Sequence, residues 1–186
     1  MNLLILGSPV NPQANPLYRG TYRTHPAHCD ELPDSHEINR LYSWFREEGA
    51  VVRNRSNALR FAELWNARLK GLQGFEVVEV TECGEHSQGK FIGYDLSASF
   101  SDSLLAWGLR RFVKETSPYE VLCDLISRHY APQLNQQGLF QTIEVASLCL
   151  HDMWALQDLC PGLFAIEDLR AYRPVGLFSL TSINEV

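Results

Sequence analysis

Between Ile92 and Phe100 the chain alternates strictly. Ile92, Tyr94, Leu96, Ala98 and Phe100 are apolar, and Gly93, Asp95, Ser97 and Ser99 between them are small or polar. Side chains on a strand point to opposite faces with a period of two, so this spacing predicts a strand over 91–100 with one face on a core and the other toward water. Ser101, Asp102 and Ser103 then offer N-cap oxygens to Leu105, Gly108, Leu109 and Phe112, which recur at helical spacing. The unit predicts a strand, a tight turn and a helix over 102–114 folded back on the sheet.

Two more strands are predicted. Phe75–Val80 is short, β-branched and bounded by Gly74 and Gly84, and the connection Cys83–Gly89 returns the chain into 91–100 as an antiparallel hairpin. Val175–Ile183, with Phe178, Leu180 and Thr181, predicts the other. Asp34 and Glu37 have capping-box spacing ahead of Ile38, Leu41, Tyr42 and Phe45, which predicts a helix over about 35–48 stopped by Gly49. Ser56 or Asn57 opens a second helix with Ala58, Phe61, Ala62, Trp65, Leu69 and Leu72 on one face. Ser117-Pro118-Tyr119-Glu120 starts a helix that must stop near Ala131, because Pro132 follows. The run Leu139–Leu159 is apolar on more than one side and predicts a central helix, ended by Pro161-Gly162. The fold class is α+β: a small, mainly antiparallel sheet with strands near 75–80, 91–100 and 175–183, packed against about five helices.

The length of 186 residues suits one globular domain, 1–186, with a core large enough to need neither disulfides nor metal. Five prolines between 9 and 35 fix φ and bias their predecessors away from the helix, which predicts an extended arm or long loop there. Leu3-Leu4-Ile5-Leu6 is too short and lacks the preceding positive charge for a signal peptide, and no apolar run approaches the length of a membrane span, so the expectation is a cytoplasmic protein. Cys29, Cys83, Cys123, Cys149 and Cys160 are odd in number and scattered, which suits free thiols in a reducing compartment.

Charge is uneven. Residues 1–74 carry nine Lys/Arg against seven Asp/Glu, and residues 75–186 carry seven against fifteen, for a net charge of −6 overall. An acidic surface of this kind argues against nucleic acid as a partner, since phosphates need a basic face, and suits a basic protein.

His25-x-x-His28-Cys29 and Cys83-x-x-His86 hold borderline metal ligands at short spacing, but neither has the paired thiolates of a zinc knuckle. As an enzyme, the chain would be a metal-dependent hydrolase through His25, His28 and Cys29. Cys149 and His151 lie two apart on the expected helix and so point to different sides, which predicts a buried thiol beside an exposed His-Asp pair. Leu17-Tyr18-Arg19-Gly20-Thr21-Tyr22-Arg23 resembles the strand that places the NAD-binding arginine in ADP-ribosyltransferases of the Arg-Ser-Glu type. The resemblance implies a dinucleotide-binding role for Arg19. That family's Ser-Thr-Ser strand should follow with a Glu-x-Glu loop, whereas here Ser179-Leu180-Thr181-Ser182 has only Glu185 after it.

Glu76, Glu79, Glu82 and Glu85 recur every three residues, close in sequence to Tyr94, Asp95 and Asp102. Charged edge strands discourage unwanted pairing, and carboxylates around an aromatic anchor also suit recognition of Arg and Lys on a partner. At the level of class, an acidic chain with no cofactor fingerprint resembles the immunity proteins that bacteria keep against contact-delivered toxins. That resemblance implies a non-catalytic protein that covers a basic toxin, without a cofactor. Glu79, Glu82, Glu85, Asp95, Asp102 and Tyr94 are the expected contact residues.

Overall fold

The computed structural model describes residues 2–9, 36–48, 51–68, 73–82, 87–99, 126, 128–135, 137–161 and 169–180. Four strands form one sheet: β1 (Asn2–Pro9), β2 (Gln73–Glu82), β3 (Lys90–Ser97) and β4 (Arg173–Ser179), in the order β1-β2-β4-β3 with every neighbouring pair antiparallel. The helices are α1 (His36–Glu48), α2 (Arg55–Arg68) and α3 (Ile143–Leu159), with the last residues of a fourth at 126 and 128–130. The α+β class and the antiparallel sheet are as expected. Four helices are seen among the described residues, against about five expected, and the helix expected over 102–114 lies outside them. No helix among the described residues is long and apolar enough to cross a membrane.

The sheet separates two cores. On one face Leu3, Ile5 and Val77 pack with Leu41, Val52, Ala58, Phe61, Ala62 and Trp65 of the α1–α2 side. On the other, Leu4, Val78, Val80, Val175 and Leu177 pack with Ala146, Cys149, Leu150 and Met153 of α3, and with Tyr130 and Phe140. β1 was not among the expected strands. Its run Leu3-Leu4-Ile5 sends successive side chains into opposite cores, which is why it reads as continuously apolar instead of alternating.

The expected hairpin of 75–80 with 91–100 is corrected, because β4 lies between β2 and β3. Ser179 pairs with Val78 on one side and Lys90 on the other, so β3 starts beside the middle of β2 and runs parallel to it. Local sequence favours a hairpin because the connection is short, but Val175, Gly176 and Leu177 are buried and their strand takes a central place with a neighbour on each edge. Gly89 makes the close approach to β4 possible, since a Cβ there would lie 2.6 Å from the Ser179 carbonyl oxygen.

The helices start where their caps require. Asn54 Oδ1 accepts from the Asn57 amide at 3.0 Å at the head of α2, and Thr142 Oγ1 accepts from the Val145 amide at 3.4 Å at the head of α3. Between α1 and α2, Phe45 stacks on Phe61 at 5.0 Å, and Arg60 holds both carboxylate oxygens of Glu37 and one of Glu63. The guanidinium keeps the Glu37 carboxyl below the usual carboxylate range. Phe61 is fully buried, and truncating it to Ala would cost about 3 to 5 kcal/mol.

α3 is not the wrapped central helix expected over 139–159. It begins at Ile143, and Leu148 and Leu159 on it are 53% and 77% exposed. One face lies on the sheet and the other meets water. Residues 134, 135 and 137–140 instead belong to a turn held by Asn135, whose Oδ1 accepts from the amides of Gln137 and Leu139, and Phe140 bridges the backbone of Tyr94. This turn covers Gly93, whose φ is 144° and where a Cβ would meet Leu139 Cβ at 2.6 Å.

Candidate functional site

Strand periodicity divides the acidic series. Residues three apart on a strand face opposite ways, so Glu76 and Glu82 share a face with Val78 and Val80, whereas Glu79 shares the other with Val77 and Thr81. Glu82 and Asp95 both pair with Val175, one from each side, which places the three in one row across β2, β4 and β3. Their surroundings differ. Glu82 is exposed and accepts from Arg173 Nη2 at 2.6 Å. Asp95 is 6% exposed and its Oδ1 accepts from the Leu96 amide at 2.7 Å.

The half-buried strand expected over 91–100 is therefore corrected as well. Gly93, Asp95 and Ser97 are buried: Gly93 and Asp95 share the face of Leu177 and Val175, which belong to the α3-side core, and Leu139 and Phe140 lie over Gly93. The shallow polar floor implied by those small side chains is filled. A glycine inside a strand signals such a close approach, and Gly93 carried that signal.

Register assembles a different site on the opposite row. Leu3, Glu79, Phe178 and Phe91 are successive partners across β1, β2, β4 and β3, one residue from each strand on a single face. Side chains directly opposite in antiparallel pairs lie close enough to touch. The row passes from cover to water. Leu3 is fully buried in the α1–α2 core, Glu79 and Phe178 are half-buried, and Phe91 is 40% exposed.

At the open end three rings meet edge to face, with Phe91 at 5.3 Å from Phe178 and 4.9 Å from Tyr94. Such pairs add to the stability given by area alone and hold the rings in fixed orientations. Glu79 borders them, its carboxylate accepting from the Ser87 hydroxyl, and that hydroxyl accepts from the Gly89 amide at 3.0 Å. Arg55 Nη1 donates to Gln88 Oε1 at 3.0 Å, tying the start of α2 to the same turn. The patch is thus a packed aromatic cluster with a hydrogen-bonded carboxylate at its side.

Of the expected contact residues, Glu79 and Tyr94 fall in this patch, while Glu82 and Asp95 lie on the other row. Glu85 and Asp102 lie outside the described residues, as do Arg19, His25, His28, Cys29, Cys83 and His86. Phe91, Phe178 and Ser87 were not expected there. Phe178 lies 99 residues from Glu79 in the chain, and only the strand order brings the two together.

Among the described residues no group of three or more His, Cys, Asp or Glu side chains is placed to hold a metal ion. On α3, Cys149 is fully buried while His151 and Asp152 are exposed, the arrangement expected from their spacing. Burial, with the Asp152 carboxylate nearby as the lesser cause, pushes the Cys149 thiol up to about 12, opposite to what a nucleophilic cysteine needs. No protein-family profile, curated protein or solved structure matches the chain.

Proposed function

We propose that this chain is a non-catalytic cytosolic binding protein that acts as an immunity protein, covering a basic toxin. The observation that carries the reading is the row Leu3–Glu79–Phe178–Phe91, buried at one end and opening at the other into an aromatic cluster whose outermost ring, Phe91, is exposed beside a hydrogen-bonded carboxylate. Aromatic anchors at a contact centre supply most of the binding energy in protein interfaces, with little entropy to lose when the rings are already held. The net charge of −6 supports a basic partner and fast, salt-sensitive association.

Within this reading Phe91 is the anchor, Tyr94 and Phe178 orient it, and Glu79 receives an Arg or Lys of the partner. Glu82 contributes to the field and less to direct contact, since Arg173 already engages it. The test is capture of partners from the native organism by the tagged chain at about 50 mM and about 500 mM salt, where screening shortens the Debye length from beyond 10 Å to a few Å. A basic protein held at low salt and lost with Phe91→Lys supports the proposal. Equal capture by wild type and Phe91→Lys removes the aromatic patch as the contact, and a partner that is itself acidic overturns the toxin reading.

A further inference from the structure

We propose that the outer face of α3 is a second docking surface, whose occupant is a basic amphipathic helix of a protein partner. Ala146, Cys149, Leu150 and Met153 face the core. At 100° per residue, Leu148, Ala155 and Leu159 fall together on the opposite side, all exposed. Leu148 and Leu159 are the two most exposed large hydrophobic residues among those described, at 53% and 77%. They stand eleven residues apart, about 16 Å along the helix axis.

Carboxylates border this stripe on both sides: Asp152 on one, Glu144 and Asp158 on the other, each exposed. α3 contains no lysine or arginine. Arg170, whose guanidinium lies 5.5 Å from the Trp154 ring centre, reaches back to Asp158 at 2.6 Å, while Glu144 and Asp152, the latter accepting from the neutral Tyr130 phenol, keep the stripe's borders acidic.

This charge pattern selects the occupant. A second copy of the chain would present the same helix, which has no lysine or arginine to neutralise Glu144 and Asp152, and an anionic lipid surface would be repelled by them. A helix carrying Leu, Ile or Met at three-to-four spacing, with Lys or Arg on its flanks, matches both the apolar stripe and its borders. The surface lies on the α3 side of the sheet and Phe91 lies on the row of the other face, so the two contacts are separable.

The test uses the full chain and a fluorescent synthetic helix of about 18 residues, with leucines at three-to-four spacing and lysines elsewhere. Saturable binding that weakens with salt is expected, as is no binding of the same peptide with glutamates for lysines. Leu148→Gln with Leu159→Gln should weaken the lysine peptide about tenfold, while the uncharged Phe91→Ser leaves it unchanged. Should the double variant lose helicity, Glu144→Gln at an exposed position replaces it, with about threefold weakening expected from a lost border charge. Absence of saturable binding, equal binding of the glutamate peptide, or an unchanged affinity in the variants overturns the proposal. So does a dimer in sedimentation that the leucine variants dissolve, which would make a second copy the occupant.

Discussion

The Tyr130 phenol donates to Asp152 Oδ2 at 2.6 Å, joining the end of one helix to the middle of α3. The ring of Tyr130 is wholly buried, against Phe140 at 6.2 Å and His129 at 4.7 Å, while Asp152 stands at the surface. Burial first, and then the hydrogen bond to Asp152, raises the phenol above its ordinary range, so it stays protonated and able to donate.

Removing either partner should therefore have unequal effects. Tyr130→Phe frees an exposed carboxylate that water resolvates and is expected to cost about 1.5 kcal/mol, the lower end for a hydrogen bond to a charged group. Asp152→Ala strands a buried hydroxyl and should cost more, with Asp152→Asn between wild type and Asp152→Ala because its amide oxygen still accepts. Urea denaturation at neutral pH measures all three. An Asp152→Ala loss smaller than that of Tyr130→Phe would contradict the geometry.

Cys149 makes stability pH-dependent on the alkaline side. Its thiol is raised from about 9 in the unfolded chain to about 12 in the fold, so the native state binds more protons over that interval. The contribution is complete below pH 9 and declines as pH rises toward 12, by at most about 1.4 kcal/mol per pH unit for one group. Tyr130, also raised, declines in the same sense above its own ordinary value. Cys149→Ala should flatten part of this slope in denaturation series between pH 8 and 10, chosen to straddle the lower bound. In brief alkylation of the native protein followed by peptide mapping, half-exposed Cys160 should be labelled well before Cys149.

Gly93 supports a third expectation. Its φ of 144° suits glycine, and a methyl group there would sit 2.6 Å from Leu139 Cβ and 3.0 Å from the Phe140 carbonyl oxygen. Gly93→Ala must strain the backbone and displace the Asn135 turn, for a loss of about 3 kcal/mol when strain and overpacking are combined. The Asn135 side chain, which donates to the Ile92 carbonyl at 2.8 Å, would shift with the turn. Hydrogen exchange at the Tyr94 and Phe140 amides, which bond across this contact, should accelerate more than exchange within β2. A stable variant with unchanged exchange would refute the close approach.

The elements were more legible than their arrangement. The stripe Ala58, Phe61, Ala62 and Trp65 is buried as its spacing requires, and α3 ends just before Pro161 as expected. Patterns of that kind arise within one element, where three or four residues suffice. The place of β4 between β2 and β3 was not legible, because pairing across some 99 to 101 residues leaves no local mark on Val78 or Phe178. The candidate site suffered most from this. Glu79, Glu82 and Asp95 look like one acidic group along the chain, but the two-residue period and the inserted strand give them separate rows and separate burial. Phe91 and Phe178 became neighbours through the same insertion.

The position of β4 also dictates the order in which the sheet can be assembled. During synthesis β2 and β3 both leave the ribosome well before residues 173–179, and neither can pair on the edge that β4 will occupy until then. In that interval the nascent chain presents two open edges to any neighbouring chain. Completing the sheet is a late, long-range event, so folding should be slow for a chain of this size and sensitive to chaperones.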